Sequence, residues 1–293
     1  MNIGQNKSDE SRILYMDDHL AVFNKAAGDI CAEGRVERGE KCGEVYGMED
    51  GAEHFAPCTE DCGTNGQTGG NERDGPYLPE VFCENLKKNS AFKGRIPPFI
   101  HCFNRLDRPV SGCVLLVFNR SLIPLLQNQF TQRHTKNNCI KKRYAALLEG
   151  SIPCADDFEL LEHYIRFDAK KQKAVVYDTE ERKTKKARLL WRPVFCTDRY
   201  TLAEIELLTG RTHQIRAQLA HKGFHIKGDV KYGARRNDLL GGIRLHAVQL
   251  CFRHPFSNIL IDIHAPLLKT DALWEAVLDH IDLKTDKEKN GDG

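Results

Sequence analysis

The sequence contains no long hydrophobic run. In its 293 residues, no window reaches the roughly 18 consecutive apolar residues that a membrane-spanning helix requires. The N-terminal residues, MNIGQNKSDE, also lack the apolar core of a secretory signal peptide. We therefore expect a cytoplasmic protein without a membrane segment.

The sequence also lacks the cysteine pattern of a disulfide-bonded protein. Its 11 cysteines are an odd number scattered over a long chain, and some, such as Cys113 and Cys251, lie inside apolar runs. Such cysteines are typical of reduced thiols that pack as small hydrophobic side chains. With 41% hydrophobic residues, the chain can form one large domain or two small ones with a substantial core.

A strong excess of one charge is absent from the whole chain, whose net charge is +2, but its two parts differ. Residues 1–100 carry 11 Lys and Arg against 18 Asp and Glu, a net charge of −7. Residues 101–293 carry 32 against 23, a net charge of +9. The basic part suits a polyanionic ligand such as nucleic acid, although a solvated charged surface has the same composition.

Apolar residues are scarce between about residues 34 and 75, which are rich in Gly, Glu, Asp, Asn and Thr. We predict a long, flexible, acidic insertion at the surface there. The insertion contains Cys42, His54, Cys58 and Cys62, and the last two could form part of a zinc knuckle. Zinc ribbons and fingers usually show closer paired spacing at both ends, so we expect no metal site.

Outside the insertion, short apolar runs alternate with polar turns. Their periodicities predict a hairpin over residues 12–23, a helix over 79–86, a strand over 113–118, a helix that Ser121 caps, strands over 141–150 and 200–208, a helix over 212–223 that Thr212 caps, strands over 245–250 and 258–264, and a last helix over 271–281. Strands and helices are interspersed without a regular βαβ rhythm. This order favours an α+β domain built on a mixed sheet flanked by helices.

One aspartate stands between two arginines immediately before a predicted buried strand. The segment is NRLDR over residues 104–108, and the apolar run CVLLVF follows over residues 113–118. A carboxylate in this setting is costly unless its charge is used, so Asp107 is our candidate for the centre of an active site. On local sequence alone, a surface ion pair at the start of a strand explains the same residues equally well.

A second polar segment follows the strand predicted over residues 200–208. It reads TGRTHQIR over residues 209–216, and it places Arg211 at a strand-to-helix turn. Two rigid elements therefore fix the position of its side chain.

Residues 104–112 (NRLDRPVSG) resemble the HRLDRxTSG signature of RluA-type RNA pseudouridine synthases. Four further segments resemble that family in the same order: residues 13–28, 142–146 (KRYAA), 208–216 (LTGRTHQIR), and 245–247 (LHA) with 252–255 (FRHP). Five segments in order cover most of residues 12–266, which makes the resemblance much more specific than any single motif. It departs from the family at Asn104, where histidine is usual, and at Val110, where threonine is usual.

The resemblance implies a largely antiparallel central sheet flanked by helices and an isomerase that uses no cofactor. Such enzymes break the bond between ribose C1′ and uracil N1, turn the uracil, and join C5 to C1′. The resemblance assigns the catalytic carboxylate to Asp107, the cation that pairs with it to Arg211, and the ring that packs on the target uracil to Tyr144. Whether the carboxylate attacks C1′ or removes a proton from C2′ is open, but both routes need it ionised.

The same resemblance identifies candidate substrate-binding residues, which are Arg105, Arg108, His213, Gln214 and Arg216. A target uridine must leave its stack, and Arg105 is the candidate to enter the RNA in its place. Each residue also has a simpler interpretation: the arginines as surface charges, Tyr144 as a core ring, and His213 and His246 as hydrogen-bonded structural histidines.

Two other functions fit part of the sequence. An RNA-binding protein that has lost catalysis would have a damaged aspartate, tyrosine or arginine, whereas all three are intact. A glycoside or nucleoside hydrolase needs a second carboxylate, for which Asp229 is available. However, Asp229 lies in a Gly-Asp-x-x-Tyr-Gly segment that resembles the synthase family equally well.

We therefore predict a monomeric RNA pseudouridine synthase that acts on ribosomal or transfer RNA. Its domains are a tail over residues 1–11, a catalytic domain over residues 12–282 with the insertion, and a charged disordered tail over residues 283–293. The tail before residue 12 is too short for the small N-terminal RNA-binding domain of many relatives. We expect the catalytic domain and its insertion to select the substrate.

Overall fold

The structure, a computed structural model, describes residues 12–31, 75–89, 96–131 and 140–278. Most of the predicted insertion, its four candidate zinc ligands and both predicted tails lie outside the described residues. The domain boundaries therefore remain predictions.

In the described part of the chain, eleven strands form one sheet. They are β1 (Ile13–Met16), β2 (Leu20–Lys25), β3 (His101–Cys102), β4 (Ser111–Val117), β5 (Lys141–Glu149), β6 (Glu159–Asp168), β7 (Lys173–Tyr177), β8 (Lys185–Cys196), β9 (Tyr200–Leu207), β10 (Leu245–Arg253) and β11 (Leu260–His264). The order is β1-β2-β4-β10-β5-β9-β8-β6-β7, with β11 paired to β10 and β3 to β4. Every pair of neighbouring strands in this sheet is antiparallel except β4 with β10. The predicted mixed, largely antiparallel sheet is confirmed.

Four helices accompany the sheet in the described residues. They are α1 (Leu78–Lys88), α2 (Leu122–Thr131), α3 (Gln214–His221) and α4 (Ala272–Leu278). None of them is long and apolar enough to cross a membrane. The helices predicted from periodicity are confirmed, but the sequence patterns do not predict the strands β3, β6, β7 and β8.

Two expectations about helix ends and faces are wrong. Thr212 is not the N-cap of α3. The N-cap residue is His213, in a left-handed conformation with φ of 55°, and its side chain makes no capping hydrogen bond. On α2, helical spacing predicts one apolar stripe formed by Leu122, Leu125, Leu126 and Phe130. Leu122 and Leu126 are buried, whereas Leu125 is 44% exposed, so the buried stripe is narrower than predicted.

Alternation along the central strands divides the core into two layers. In β2, Ala21 and Phe23 pack in one apolar cluster, while Leu20 and Val22 pack in the other. Helices α1 and α3 cover the first face, and α2 covers the second. Because both faces are buried, these strands consist of nearly continuous apolar residues.

Candidate active site

Asp107 lies in the loop between β3 and β4, on the path by which the chain enters the central strand. The loop turns at Asp107, whose carbonyl accepts a hydrogen bond from Val110 N at 3.0 Å. Asn104, which replaces the family's usual histidine, fixes the other end of the loop. Its amide accepts from Leu115 N and donates to the carbonyl of Cys113 at 3.2 Å, so the loop is tied to the backbone of β4.

A buried lysine binds the backbone of the same loop. Lys25, at the end of β2, is fully buried, and its Nζ donates to the carbonyl oxygens of Asp107 at 3.3 Å, Arg108 at 3.1 Å and Val110 at 2.5 Å. Burial lowers the pKa of Lys25 to about 8, partly offset by neighbouring acidic groups. The lysine therefore fixes the backbone around Asp107. The side chain of Asp107 remains 23% exposed.

The cation that contacts Asp107 is Arg216, the third residue of α3. Its Nη1 lies 3.0 Å from Asp107 Oδ2. Its Nε and Nη2 bond to the two carboxylate oxygens of Asp229 at 2.7 and 2.8 Å, and its guanidinium stands 4.9 Å from the centre of the Tyr232 ring. Burial would lower the pKa of Arg216, but the hydrogen bonds and charges of Asp229 and Asp107 outweigh it and raise that pKa.

The predicted pairing of Arg211 with Asp107 is wrong. The Arg211 side chain is largely exposed in the turn before α3, and its Nε donates to the carbonyl of Lys186 on β8 at 3.0 Å. Arg216 points inward from the first turn of the helix, and Asp229 holds two of its nitrogens, so the third is directed at Asp107. The arginine that pairs with Asp107 does lie in the segment over residues 209–216, but it is the second arginine of that segment, Arg216.

His213 joins Asp107 to Tyr232. Its Nδ1 lies 2.9 Å from the Tyr232 hydroxyl, and its Nε2 lies 3.7 Å from Asp107 Oδ2. Burial lowers the pKa of His213, although the charge of Asp107 opposes this shift. With the Tyr232 hydroxyl as donor to Nδ1, the ring proton of a neutral His213 stands on Nε2, the nitrogen that faces Asp107.

Gln214 was predicted to bind substrate, but its side chain is buried and used inside the protein. Its Oε1 accepts from the Thr209 hydroxyl at 2.7 Å and from Arg211 N at 2.9 Å, and its Nε2 donates to the carbonyl of Arg188 at 3.0 Å. Because both ends of the amide are used, Gln214 fixes the turn between β9 and α3 and does not face a ligand.

Three further predicted residues are Tyr144, Arg105 and Arg108. Tyr144 on β5 is 6% exposed and belongs to the apolar cluster that also holds Leu106 and Ile215, the neighbours of Asp107 and Arg216. Arg105 and Arg108 lie in the Asp107 loop and are both exposed. The structure thus brings Asp107, His213 and Arg216 into one cluster.

The sequence analysis assigns no role to Lys25 or Tyr232, and it considers Asp229 only as the second carboxylate of a hydrolase. All three lie in segments that resemble the family, which is the signal that could have identified them. His246, by contrast, has the structural role considered above: its Nδ1 lies 2.8 Å from Ser111 Oγ, and its Nε2 lies 2.9 Å from the carbonyl oxygen of Ala265. Burial lowers the pKa of His246 to about 4.

Among the described residues, one group has the composition of a metal site. The ligand atoms of His163, Asp178 and His221 lie within 4.8 Å of one another. However, Gln218 Nε2 lies 2.9 Å from His163 Nδ1. An amide N–H donated to Nδ1 leaves the ring proton on Nε2, the nitrogen that faces Asp178, so this tautomer presents no lone pair to a metal ion there.

Asp229 does not have the surroundings of a second catalytic carboxylate. It is 1% exposed, and Arg216 occupies both of its oxygens. A glycoside hydrolase needs two carboxylates that face the sugar, with one free to transfer a proton. The geometry around Asp107 therefore argues against the hydrolase alternative.

The chain thus combines a mixed, largely antiparallel sheet with an aspartate held by a buried arginine. Residues 19–221 match the family described as RNA pseudouridylate synthase. The chain belongs to this family.

Individual relatives agree with the family match. The chain is 32% identical over 187 residues to the uncharacterized RNA pseudouridine synthase YlyB of Bacillus subtilis, covering 64% of this chain and 57% of that protein. It is 32% identical over 211 residues to tRNA pseudouridine synthase C of Salmonella typhi, covering 67% of this chain and 77% of the relative. This chain therefore spans little more than half the length of YlyB.

A solved structure shares the fold. Human RNA Pseudouridylate Synthase Domain Containing 4 has a TM-score of 0.56 and 18% identity, with 93% of this chain and 94% of that chain covered. At this identity the similarity concerns the fold.

Proposed function

We propose that this chain isomerises uridine to pseudouridine in RNA. The observation that carries the proposal is the ion pair between Asp107 and Arg216, with 3.0 Å between Oδ2 and Nη1, in a chain of the pseudouridylate synthase family. A partly exposed carboxylate beside a fixed cation is the group that this isomerisation requires. The reaction rearranges bonds within one nucleotide, so no oxidant or group donor enters it.

Arg216 orients the Asp107 carboxylate and places a fixed positive charge beside it. Two of its nitrogens are bound to Asp229, so it cannot follow the carboxylate outward or exchange it easily for water. An adjacent cation favours the charged form of a carboxylate, and both routes open to Asp107, addition to C1′ and removal of the C2′ proton, require that form. His213 Nε2 faces the same oxygen at 3.7 Å, which is too long for a hydrogen bond, so Arg216 is the group that fixes the carboxylate.

The roles of the other residues follow from the resemblance to the family. Tyr144 packs on the target uracil and assists proton removal from C5 after the new bond forms. Arg105 and Arg108, exposed in the Asp107 loop, contact RNA, with Arg105 entering the stack that the uridine leaves. Extruding a base costs a few kcal/mol, and a planar guanidinium that stacks on the exposed neighbours offsets part of this cost.

The substrate class is transfer or ribosomal RNA, and the enzyme acts as a cytoplasmic monomer. The printed name of the Salmonella relative, a tRNA pseudouridine synthase, supports the substrate class. Light scattering after gel filtration tests the monomer, because a mass near 33.3 kDa is expected and a doubled mass contradicts it.

The experiment that tests the proposed function is pseudouridine mapping in cells. RNA from cells that lack the protein is labelled with carbodiimide and mapped by primer extension, and the cells are complemented with wild type or Asp107→Asn. We expect defined sites to disappear without the protein and to return only with wild type, because the amide can neither add to C1′ nor accept a proton.

Two outcomes contradict the proposal. If no site changes in the deletion strain, the chain does not modify the RNA tested, and the RNA-binding alternative replaces the enzyme. If Asp107→Asn restores the sites at the wild-type level, the carboxylate is not the catalytic group.

A further inference from the structure

An exposed phenylalanine continues the buried face of β6 beyond the helix that covers it. Along β6, Leu161, His163 and Ile165 are buried, and alternation places Phe167 on the same face. Helix α3 packs on this face, but Phe167 lies beyond its N-terminal end and is 39% exposed. An apolar ring is therefore in register with the core and accessible to solvent.

The Phe167 ring adjoins the cluster around Asp107. It meets the ring of His213 edge to face, with 5.6 Å between the ring centres and an angle of 81°. His213 Nε2 in turn lies 3.7 Å from Asp107 Oδ2. Only one side chain separates the exposed aromatic ring from the carboxylate.

The turn between β6 and β7 is fixed to the same cluster. The Tyr232 hydroxyl accepts from Ala174 N at 2.7 Å, and Lys173 Nζ stands 4.8 Å from the centre of the Tyr232 ring. Lys231 Nζ also donates to the carbonyl of Gln172 at 3.1 Å. The position of this turn is therefore coupled to the residues that hold His213.

The turn carries a local excess of positive charge. Residues 168–173 read DAKKQK, with three lysines and one aspartate. The aspartate is engaged inside the turn, because its Oδ1 accepts from the backbone N–H groups of Lys170 at 3.0 Å and Lys171 at 3.1 Å. The side chains of these two lysines are exposed.

We propose that Phe167 and the β6–β7 turn bind the RNA strand next to the target uridine, with one base stacked on Phe167 and the phosphates near Lys170 and Lys171. Single-stranded RNA is bound by the combination found here, an aromatic ring for a base and lysines for the backbone. Extrusion of the target nucleotide unstacks its neighbours, and an aromatic ring one side chain from Asp107 offers a neighbouring base a new partner. This inference rests on the proposed function.

The first arm of the test separates RNA binding from chemistry. RNA from the deletion strain, labelled with tritium at uridine C5, releases the label when C5 joins C1′. We expect Phe167→Ala to raise KM about tenfold, as loss of one stacked base predicts, with little change in kcat. We expect Phe167→Trp to keep the wild-type KM, because it retains an aromatic face. Phe256→Ala removes another exposed ring, 49% exposed at the β10–β11 turn, and serves as the matched control.

The second arm measures phosphate contacts. Binding to a fluorescein-labelled single-stranded RNA is measured at several salt concentrations. The RNA has about 15 nucleotides, which is long enough to cover a typical single-strand site. We expect the double substitution Lys170→Gln and Lys171→Gln to make the slope of log K against log salt about 1.4 less steep, about 0.7 for each phosphate contact. The same change at Lys87 and Lys88, at the exposed end of α1, removes equal charge and is expected to leave the slope unchanged.

The outcomes distinguish this inference from the function on which it rests. If wild type releases no tritium, the proposed function fails, and the binding arm still tests the surface. If wild type is active but the Phe167→Ala and lysine variants behave as wild type, the inference is overturned. It is also overturned if Phe167→Ala lowers kcat with KM unchanged, because the ring then only supports His213.

Discussion

Arg216 is bound by two carboxylates that differ in exposure. Asp229 is 1% exposed and uses both oxygens on the guanidinium, while Asp107 is partly exposed and uses one. The buried carboxylate of Asp229 thus fixes the arginine, and the arginine fixes the carboxylate of Asp107. A lysine at position 216 would lack the planar geometry for both pairs.

Replacing Arg216 separates these two roles. We expect Arg216→Met to destabilise the protein by about 3–5 kcal/mol, because Asp229 is left as an unpaired buried charge. The double variant with Asp229→Leu should recover most of the stability but no tritium release, since Asp107 remains without its cation. Urea unfolding measures the first effect. Arg192→Met breaks a more exposed ion pair, in which two guanidinium nitrogens bind one oxygen of Glu204; it is the control and should cost about 1 kcal/mol or less.

The buried His246 predicts how stability depends on pH. Its pKa is lowered by burial to about 4, so in the folded protein it stays neutral while the unfolded chain takes up a proton near pH 6.5. The unfolded state therefore binds more protons between about pH 6.5 and 4, and the free energy of unfolding falls as the pH drops through this window, by about 3 kcal/mol at most.

Urea unfolding at several pH values tests this prediction. His246→Gln, whose amide can still donate to Ala265 and accept from Ser111, should flatten the profile in that window. His19→Gln, at a partly exposed histidine, should leave the profile as it is. If His246→Gln keeps the full pH dependence, another group is responsible.

The parallel pair of β4 with β10 depends on one glycine. Gly112 has φ of 115° and lies opposite Ala247, so close that an added Cβ would stand 2.3 Å from the Ala247 carbonyl oxygen. The chain can therefore pass from the Asp107 loop into β4 beside β10 only with glycine at this position.

A matched pair of glycine substitutions tests this requirement. We expect Gly112→Ala to destabilise the fold by roughly 3 kcal/mol or more, because backbone strain and a clash with backbone combine. Gly150→Ala has similar strain, with φ of 98°, but an added Cβ has no heavy atom within 4 Å. It should cost about 1 kcal/mol. Equal losses of stability would show that the approach to Ala247 is not limiting.

The apolar elements were predictable from the sequence, and the edge of the sheet was not. Strands such as β4 and β9 have continuous or alternating apolar residues because one or both faces are buried. Strands β6 and β8 place charged residues on their exposed faces and include polar core residues such as His163, so their pattern is weak.

At the site, the motif identified Asp107, but sequence order could not decide which arginine reaches it, because that choice depends on where Asp229 lies in the fold.

The predicted acidic insertion starts and ends at neighbouring points of the described structure. Ile30 N donates to the Pro76 carbonyl and Leu78 N to the Ile30 carbonyl, both at 2.9 Å. The two ends of the segment over residues 32–74 are thus joined by backbone hydrogen bonds. The segment carries 4 Lys and Arg against 11 Asp and Glu.

Excision of this segment should therefore be tolerated. We expect a variant in which residues 33–73 are replaced by a short Gly-Ser linker to keep its unfolding temperature within about 5 °C of wild type, because the linker closes a short gap and a shorter loop costs less entropy to close. Affinity for RNA should rise at low salt, since mostly acidic residues are removed. A large loss of stability in calorimetry would contradict the prediction.

The pairing of β4 with β10 also determines how early during synthesis the proposed active site can be assembled. The paired positions Gly112 and Ala247 lie 135 positions apart in the sequence, so β4 stays without this neighbour until the C-terminal part of the chain has left the ribosome. Asp107 enters β4 through this junction, and Arg216 is already translated by then. A nascent chain that stops before β10 would carry all the catalytic residues proposed above, yet it would not have assembled the centre of the sheet that positions them.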